Sequence, residues 1–106
     1  MVTELTPENF DKEVIQSKKR VIVDFWAPWC GPCIMMAPVF ESLSNDYSDE
    51  LKFAKINVDD YSGFASKFGI MSIPSLLVFE NGKEITRFIG FVQKSEFKEK
   101  IESLIN

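Results

Sequence analysis

The hydrophobic and polar residues form patterns of two kinds along the chain, and these predict strands and helices in turn. Apolar residues follow one another without alternation in Val21–Trp26, as in a strand covered on both faces of a parallel or mixed sheet. Further core strands are predicted at Leu51–Val58 and Ser75–Phe79. Asn81-Gly82 is a strong hairpin signal and predicts an antiparallel partner strand at Glu84–Ile89.

Apolar residues at helical spacing predict helices before, between and after these strands. Thr6-Pro7 is typical of a helix start, because Thr can cap the helix and Pro lacks only an N–H that has no helical partner there. Further helices are predicted at Cys33–Tyr47, at Asp60–Phe68 before a left-handed stop at Gly69, and at Ser95–Leu104. The order is an opening helix followed by β-α-β-α-β-β-α, which predicts an α/β fold.

Length, composition and charge restrict the function classes. A chain of 106 residues that is 45% hydrophobic and 26% charged fits a single domain over residues 1–106. The net charge of −4 argues against a broad electrostatic contact with nucleic acid. Because the chain has no His, an imidazole base and a His metal ligand are both excluded.

The sequence shows no targeting or membrane-spanning segment. Met1–Glu4 lacks the basic and apolar regions of a signal peptide. The longest uncharged run, Phe25–Phe40, is shorter than the roughly 20 residues of a membrane span and contains three prolines. We therefore expect a soluble, cytoplasmic protein in a reducing compartment.

Cys30 and Cys33 form a Cys-x-x-Cys pair at the junction of a predicted buried strand and a predicted helix. A structural zinc site needs four ligands, which only a second copy of the chain would complete. A purely stabilising disulfide across so short a loop and a pair of inert buried thiols are two further alternatives. We favour a reversible dithiol/disulfide couple, because the unpaired N–H groups at a helix start stabilise a thiolate.

The position of each cysteine predicts its role in this couple. Cys30 lies just before the helix and is expected to be the exposed nucleophile, whereas Cys33 is less accessible and resolves the mixed disulfide from within. Gly31 permits a tight approach of the chain, and Pro32 rigidifies the first turn without losing a needed hydrogen bond. Trp29 is expected to help shape a docking surface.

The residues around the cysteines resemble the thioredoxin family, and the resemblance covers nearly the whole chain. The matching segments are Val23-Asp24-Phe25-Trp26, Trp29-Cys30-Gly31-Pro32-Cys33, Ile73-Pro74-Ser75, Phe79-Glu80-Asn81-Gly82 and Ile89-Gly90. The resemblance implies the thioredoxin fold, a central mixed β-sheet flanked by helices on both faces with one antiparallel C-terminal hairpin. It also implies a cis peptide bond before Pro74, an Ile73 backbone that pairs with an extended substrate, and a close approach of that substrate at Gly90.

Asp24 interrupts an otherwise apolar predicted strand. By itself it is compatible with a hydrogen-bonded carboxylate at a strand end or with a desolvated carboxyl of raised pKa. The resemblance favours the second interpretation and implies that Asp24 accepts a proton from Cys33. It also makes Lys55 the lysine that neighbours this acid, although Lys55 alone is typical of a solvated strand residue.

These features predict a redox carrier with general protein-disulfide reductase activity. Oxidants and isomerases of the superfamily usually carry His before the second Cys, where this chain has Pro32. The chain has no dinucleotide fingerprint, so electrons from NADPH must arrive through a separate reductase, which the resemblance identifies as thioredoxin reductase. We expect a monomer with no metal or other cofactor and with no nucleic-acid or membrane partner.

The chain departs from the family pattern around the predicted docking surface. Ile34 stands where many relatives carry Lys, Pro28 stands where an acidic or polar residue is frequent, and Met71 adds apolar bulk. We therefore expect disulfide-bearing target proteins to dock by apolar contact rather than by charge. The residues expected to form this docking surface are Trp29, Ile73, Pro74, Gly90 and Phe91.

Two other functions remain open at this stage. A binding module of the same shape would clamp a partner without redox turnover, but a clamp does not need two closely spaced thiols. A thiol oxidant or isomerase would use the same cysteines and would differ in redox potential.

Overall fold

Residues 1–105, which the computed structural model describes, build a five-stranded mixed sheet with helices on both faces. The strands are β1 (Thr3–Glu4), β2 (Arg20–Trp26), β3 (Leu51–Asn57), β4 (Ser75–Glu80) and β5 (Lys83–Ile89). The helices are α1 (Pro7–Phe10), which continues as a π-helix (Asp11–Ile15), α2 (Gly31–Asp46), α3 (Ser62–Ser66) and α4 (Lys94–Ile105).

The strands lie in the order β1-β3-β2-β4-β5. Strands β1, β3 and β2 are parallel, whereas β4 is antiparallel to both β2 and β5. This arrangement confirms the predicted α/β class with a central mixed sheet and a C-terminal hairpin. None of the described helices is long and apolar enough to cross a membrane.

Alternate residues of the central strands fill two separate cores. On one face, Ile22 and Leu76 pack with Phe40 of α2 and Phe97 of α4. On the other face, neighbouring strand residues pack against Phe10 of α1 and residues of α3. Strand β2 is therefore covered on both sides, which explains its unbroken apolar pattern.

The predicted start of the first helix is confirmed by a reciprocal cap. The backbone N–H of Asn9 donates to the Thr6 hydroxyl (3.2 Å), and the backbone N–H of Thr6 donates to the Asn9 side chain (2.7 Å). Helix α2 begins at Gly31, two residues before the predicted start, because Cys30 caps it. Helix α3 is shorter than predicted, and strand β1 was not predicted at all.

The predicted hairpin joins β4 and β5 through Asn81 and Gly82. Both residues have positive φ (51° and 81°), as a two-residue turn of the primed type requires. A β-bulge interrupts the register between Val78 and Phe79, where Val78 pairs with Thr86 and Phe79 pairs with Glu84. The hairpin thus twists where it leaves the core.

Candidate functional site

The two cysteines lie at the N-terminus of α2 and are joined by a disulfide bond, with their Cα atoms 5.2 Å apart. Cys30 is the N-cap residue, and its sulfur accepts a hydrogen bond from the backbone N–H of Cys33 (3.2 Å). Pro32 in the first turn lacks an N–H that would have no helical partner there. The unpaired N–H groups and the helix dipole therefore converge on the Cys30 sulfur.

Both cysteines are buried in this oxidised form, with exposed fractions of 4% for Cys30 and 2% for Cys33. The expectation of an exposed Cys30 sulfur is therefore wrong for the disulfide-bonded state. The reason is the packing around the disulfide, where Ala27 is fully buried and Val58 and Ile73 close the sides. Both Val58 and the loop that carries Ile73 therefore limit access to the disulfide.

Two loops, one before β4 and one after β5, hold three of the predicted docking residues, and Ile73 of the first loop lies beside Cys30. The carbonyl oxygen of Ile73 lies 3.7 Å from the Cys30 sulfur, and the Ile73–Pro74 peptide bond is cis, as expected. The backbone N–H of Gly90 donates to the Pro74 carbonyl (2.8 Å). Gly90 has φ +88°, and no atom lies within 4 Å of the position that a Cβ would take, so the backbone is open to an approaching chain.

Exposed apolar side chains surround these loops. Trp29 is 69% exposed, and its indole N–H donates to the carboxylate of Asp59 (3.0 Å). Phe91, next to Gly90, is 38% exposed, and Met71 is 96% exposed. Asp59 could not be predicted as a site residue from the sequence, because it lies 30 residues from Trp29 and no local pattern links them.

A cavity of about 270 Å³ opens beside Cys33 and is also lined by Asp24 and Lys55. Asp24 is 3% exposed, and its Oδ1 has no hydrogen-bond partner among the described residues. Burial raises the pKa of Asp24 to about 7, although the positive charge of Lys55 acts in the opposite direction. The structure thus favours the desolvated carboxyl over a hydrogen-bonded strand-end carboxylate.

Lys55 is the register partner of Asp24 on the neighbouring strand. Its ammonium group forms an ion pair with Glu4 (3.4 Å) and lies 5.1 Å from the centroid of the Trp26 ring. Lys55 is therefore held by specific neighbours and is not simply a solvated strand residue. Glu4 was missed from the sequence, since a two-residue strand has no periodic pattern.

Comparison with known proteins identifies the family of this chain. The family model described as Thioredoxin matches residues 1–103. The chain belongs to the thioredoxin family. A thioredoxin of Chlorobaculum thiosulfatiphilum is 43% identical over 102 residues, which cover 96% of this chain and 94% of the relative. A thioredoxin of Porphyra purpurea is 41% identical over 105 residues, 99% of this chain and 98% of the relative.

A thioredoxin 1 of Synechococcus elongatus is 45% identical over 91 residues, which cover 86% of this chain and 85% of the relative. Membership of the thioredoxin family, together with the Cys30–Cys33 pair, identifies dithiol/disulfide exchange as the chemistry and protein-disulfide reduction as the activity. Members of the thioredoxin family act on disulfide-containing targets and receive electrons from a reductase. The redox group is the cysteine pair itself, and residues 1–105 hold no cluster of three or more metal-ligating side chains.

Proposed function

We propose that this chain is a general reductant of protein disulfides in which Cys30 is the nucleophile and Cys33 is the resolving thiol. The observation that carries this assignment is the hydrogen bond from the Cys33 N–H to the Cys30 sulfur at the start of a 16-residue helix. After reduction, this N–H and the helix dipole stabilise a thiolate at Cys30. Cys33 lies inside the first turn and borders the cavity that contains Asp24.

The exchange has two steps. The Cys30 thiolate attacks one sulfur of the target disulfide, so that a Cys30–target bond forms and the other target sulfur leaves as a thiolate. The Cys33 thiol then gives its proton to the Asp24 carboxylate and attacks the Cys30 sulfur, which forms the internal disulfide and releases the second target thiolate. Two electrons pass to the target. The cysteine pair ends in the oxidised form and is recharged from NADPH through thioredoxin reductase.

Asp24 is proposed as the base of the second step. Its pKa of about 7 places the carboxyl between its two protonation states near neutral pH, which suits proton transfer. The cavity shared with Cys33 has room for water molecules that can relay the proton. The positive charge of Lys55 limits how far burial raises the pKa of Asp24.

The docking surface is proposed to bind an extended segment of the target beside Cys30. The Ile73 backbone would hydrogen-bond to that segment as an added strand, and the open space at Gly90 would let the segment approach closely. The exposed rings of Trp29 and Phe91 would cover its apolar side chains. No atom lies within 4 Å of the position that a Cβ would take at Gly31, so the backbone next to Cys30 is open to the target.

Trapping of the intermediate tests the roles of the two cysteines. In a Cys33→Ser variant the second step has no nucleophile, so the mixed disulfide with insulin is expected to accumulate. Cys30→Ser is the matched control and is expected to form no adduct. Non-reducing gel electrophoresis and mass spectrometry measure the adduct. Normal turnover by Cys33→Ser would show that the assigned roles are wrong.

A comparison of the two steps tests Asp24. Asp24→Asn keeps the shape of the side chain and removes the base, so release of the target is expected to slow by about 10²-fold while the attack by Cys30 changes little. Rapid quenching of single-turnover reactions separates the steps. An equal effect on both steps would contradict a base that serves Cys33.

Equilibration against a glutathione buffer tests the direction of electron flow. A reductant is expected to remain largely disulfide-bonded in a buffer that fully reduces an oxidant or isomerase of the superfamily.

Failure of the reduced chain to accelerate insulin reduction by dithiothreitol would overturn the reductase proposal. Full biological activity of a Cys30→Ser, Cys33→Ser double variant would instead indicate a clamp.

The setting of this activity is also part of the proposal. The two cores of the described residues 1–105 share one sheet, which supports the proposal of a single domain over the chain. We also propose that this domain acts as a monomer. A reductant is useful where thiols are kept reduced, which supports a cytoplasmic location. Analytical ultracentrifugation and cell fractionation test these two points separately.

A further inference from the structure

A row of side chains crosses the sheet at the level of Asp24. The register pairs Glu4 with Lys55, Lys55 with Asp24, Asp24 with Leu76, and Leu76 with Phe88. Paired residues of neighbouring strands project from the same face, so these five side chains lie beside one another. The row begins at the β1 edge with a carboxylate, an ammonium and a carboxyl, and it ends with two apolar groups.

Lys55 stands between two acids that differ greatly in burial. The Glu4 side chain is 70% exposed, whereas Asp24 is 3% exposed. Within residues 1–105, the ion pair of Lys55 at 4 Å or less is with Glu4 and not with Asp24. The Trp26 ring lies 5.1 Å from the same ammonium group. The positive charge of Lys55 is therefore drawn toward the open edge of the sheet.

We propose that Glu4 is a positioning residue for the exchange reaction: its carboxylate holds the Lys55 ammonium at the edge of the cavity and away from the buried Asp24 carboxyl. The inference rests on the proposed role of Asp24 as the base for Cys33. Glu4 does not line the cavity beside Cys33, and it acts through Lys55.

The charged groups around Asp24 act on its pKa in opposite directions, because Lys55 is a cation and its neighbours Glu4 and Glu41 are acids. Lys55 faces Asp24 from β3, Glu4 lies beyond it on β1, and Glu41 of α2 lines the same cavity together with Cys33. Lys55 lowers the pKa of Asp24 against the larger effect of burial, so its distance from the carboxyl matters. The negative charge of Glu4 and its hold on Lys55 both disfavour ionisation of Asp24.

The consequence for the reaction concerns the strength of the base. Without Glu4, the Lys55 side chain is free to approach the unpartnered Oδ1 of Asp24. The carboxylate would then be stabilised and would take the Cys33 proton less readily. The rate of target release would accordingly follow a pH profile displaced to lower pH, with a lower maximum.

Direct titration of Asp24 tests this inference. The carboxyl ¹³C shift of Asp24 is followed by NMR against pH in the oxidised protein and in Glu4→Gln. The pKa of Asp24 is expected to fall by roughly 0.3 pH unit in Glu4→Gln, the size expected for an exposed ion pair. Glu99→Gln, which removes the same charge from the exposed side of α4, is expected to leave the titration unchanged.

Repeating the titration in a protein that lacks the Lys55 charge shows whether Glu4 acts through Lys55. In Lys55→Met, the Glu4→Gln change is expected to have less than half of its original effect on the Asp24 titration. An unchanged Asp24 titration in Glu4→Gln would overturn the inference. So would an effect that is equally large without Lys55, or equally large in Glu99→Gln.

The rate of target release separates this inference from the proposed function. If the pKa of Asp24 falls as expected in Glu4→Gln and the pH profile of target release shifts with it, the proposed function and the inference on Glu4 are both supported. If the titration moves and the release profile does not, Asp24 is not the base, so the proposed role of Asp24 fails and the catalytic part of the inference fails with it. If Asp24→Asn slows release and the titration of Asp24 is insensitive to Glu4, only the inference on Glu4 fails.

Discussion

At the scale of single residues, Asp24 is a position where the proposed function lowers the stability of the fold. A carboxyl in the centre of a covered strand loses its hydration, and an ionised one loses far more than a protonated one. An apolar residue at this position would pack beside Ile22 and Leu76, which lie on the same face of the sheet and are fully buried. The chain instead keeps an acid beside the cavity that also reaches Cys33.

This placement predicts a dependence of stability on pH. The folded-state pKa of Asp24 is about 7 against an ordinary value of 3.8, so the folded protein binds the extra proton between these values. The stability contributed by the protonated carboxyl is complete below pH 3.8 and is lost as the pH rises through 7. The loss at alkaline pH is on the order of 4 kcal/mol, from about three pKa units at about 1.4 kcal/mol each.

Asp24→Asn removes this titration and keeps the shape of the side chain. The variant is expected to be more stable than the wild type at about pH 8, and the difference is expected to shrink as the pH falls toward about 4. Urea unfolding of the oxidised proteins at several pH values measures the free energy of unfolding. A difference that does not vary with pH would contradict the raised pKa.

The residues that could be predicted from sequence are those whose signal is local. Cys30 and Cys33 stand at a recognisable strand–helix junction, and Asp24 breaks an apolar run. Glu4 and Asp59 could not be predicted, because their partners are distant in sequence and only the sheet register or the packing of loops joins them. The burial of the Cys30 sulfur likewise depends on the distant loop that carries the Ile73 carbonyl.

At the scale of elements, the same distinction between local and distant signals explains what was predicted and what was missed. The capped helix start and the Asn81-Gly82 turn have local signals, and both were predicted correctly. Strand β1 has only two residues and exists because β3 pairs with it. The π-helix after α1 depends on a hydrogen bond from the Gln16 N–H to the Asp11 carbonyl (2.9 Å), which no hydrophobic period encodes.

The tip of the β4–β5 hairpin packs against the end of this π-helix. A Cβ added at Gly82 would lie 3.1 Å from the Ile15 Cγ2 atom and 3.2 Å from the Ile15 carbonyl oxygen, at φ +81°. Gly82→Ala is therefore expected to lower the free energy of unfolding by about 2 kcal/mol, from backbone strain and crowding together.

Gly63→Ala is the matched control for this change. Gly63 lies in α3, and no atom is within 4 Å of its added Cβ, so this variant is expected to be at least as stable as the wild type. Chemical denaturation of the two variants measures the difference. Equal stability of Gly82→Ala and the wild type would show that the contact with Ile15 does not constrain the hairpin.

At the scale of the whole molecule, exposed apolar side chains cluster near the redox site, where the Asp59 carboxylate lies beside Trp29. The chain has a net charge of −4. The exposed apolar residues Trp29, Ile34 and Met71 nevertheless lie near the redox site: Trp29 precedes Cys30, Ile34 follows Cys33 in α2, and Met71 lies in the loop before β4. Apolar contacts are little affected by salt, whereas contacts between exposed charges are screened. Target selection is therefore expected to depend mainly on the shape and hydrophobicity of the segment beside the disulfide.

Two disulfide peptides that differ only in acidic or basic flanking residues test this expectation. The wild type is expected to reduce them with kcat/KM values within about threefold of each other, since none of the five docking-surface residues carries a charge. Ile34→Lys is expected to favour the acidic peptide several-fold at about 0.01 M salt and to lose that preference at about 1 M. Ile34→Gln controls for the loss of the apolar side chain. A strong salt-dependent preference in the wild type would contradict apolar docking.

The bulge between Val78 and Phe79 affects how separate copies of the chain contact one another in solution. It lies where β5 forms an outer margin of the sheet, and that margin also carries Lys83, Glu84 and Arg87. A twisted, charged margin is a poor template for strands of other copies, which would need a flat and uncharged border to stack into fibrils. The β5 edge therefore disfavours strand pairing between copies of a chain that displays apolar side chains for its targets.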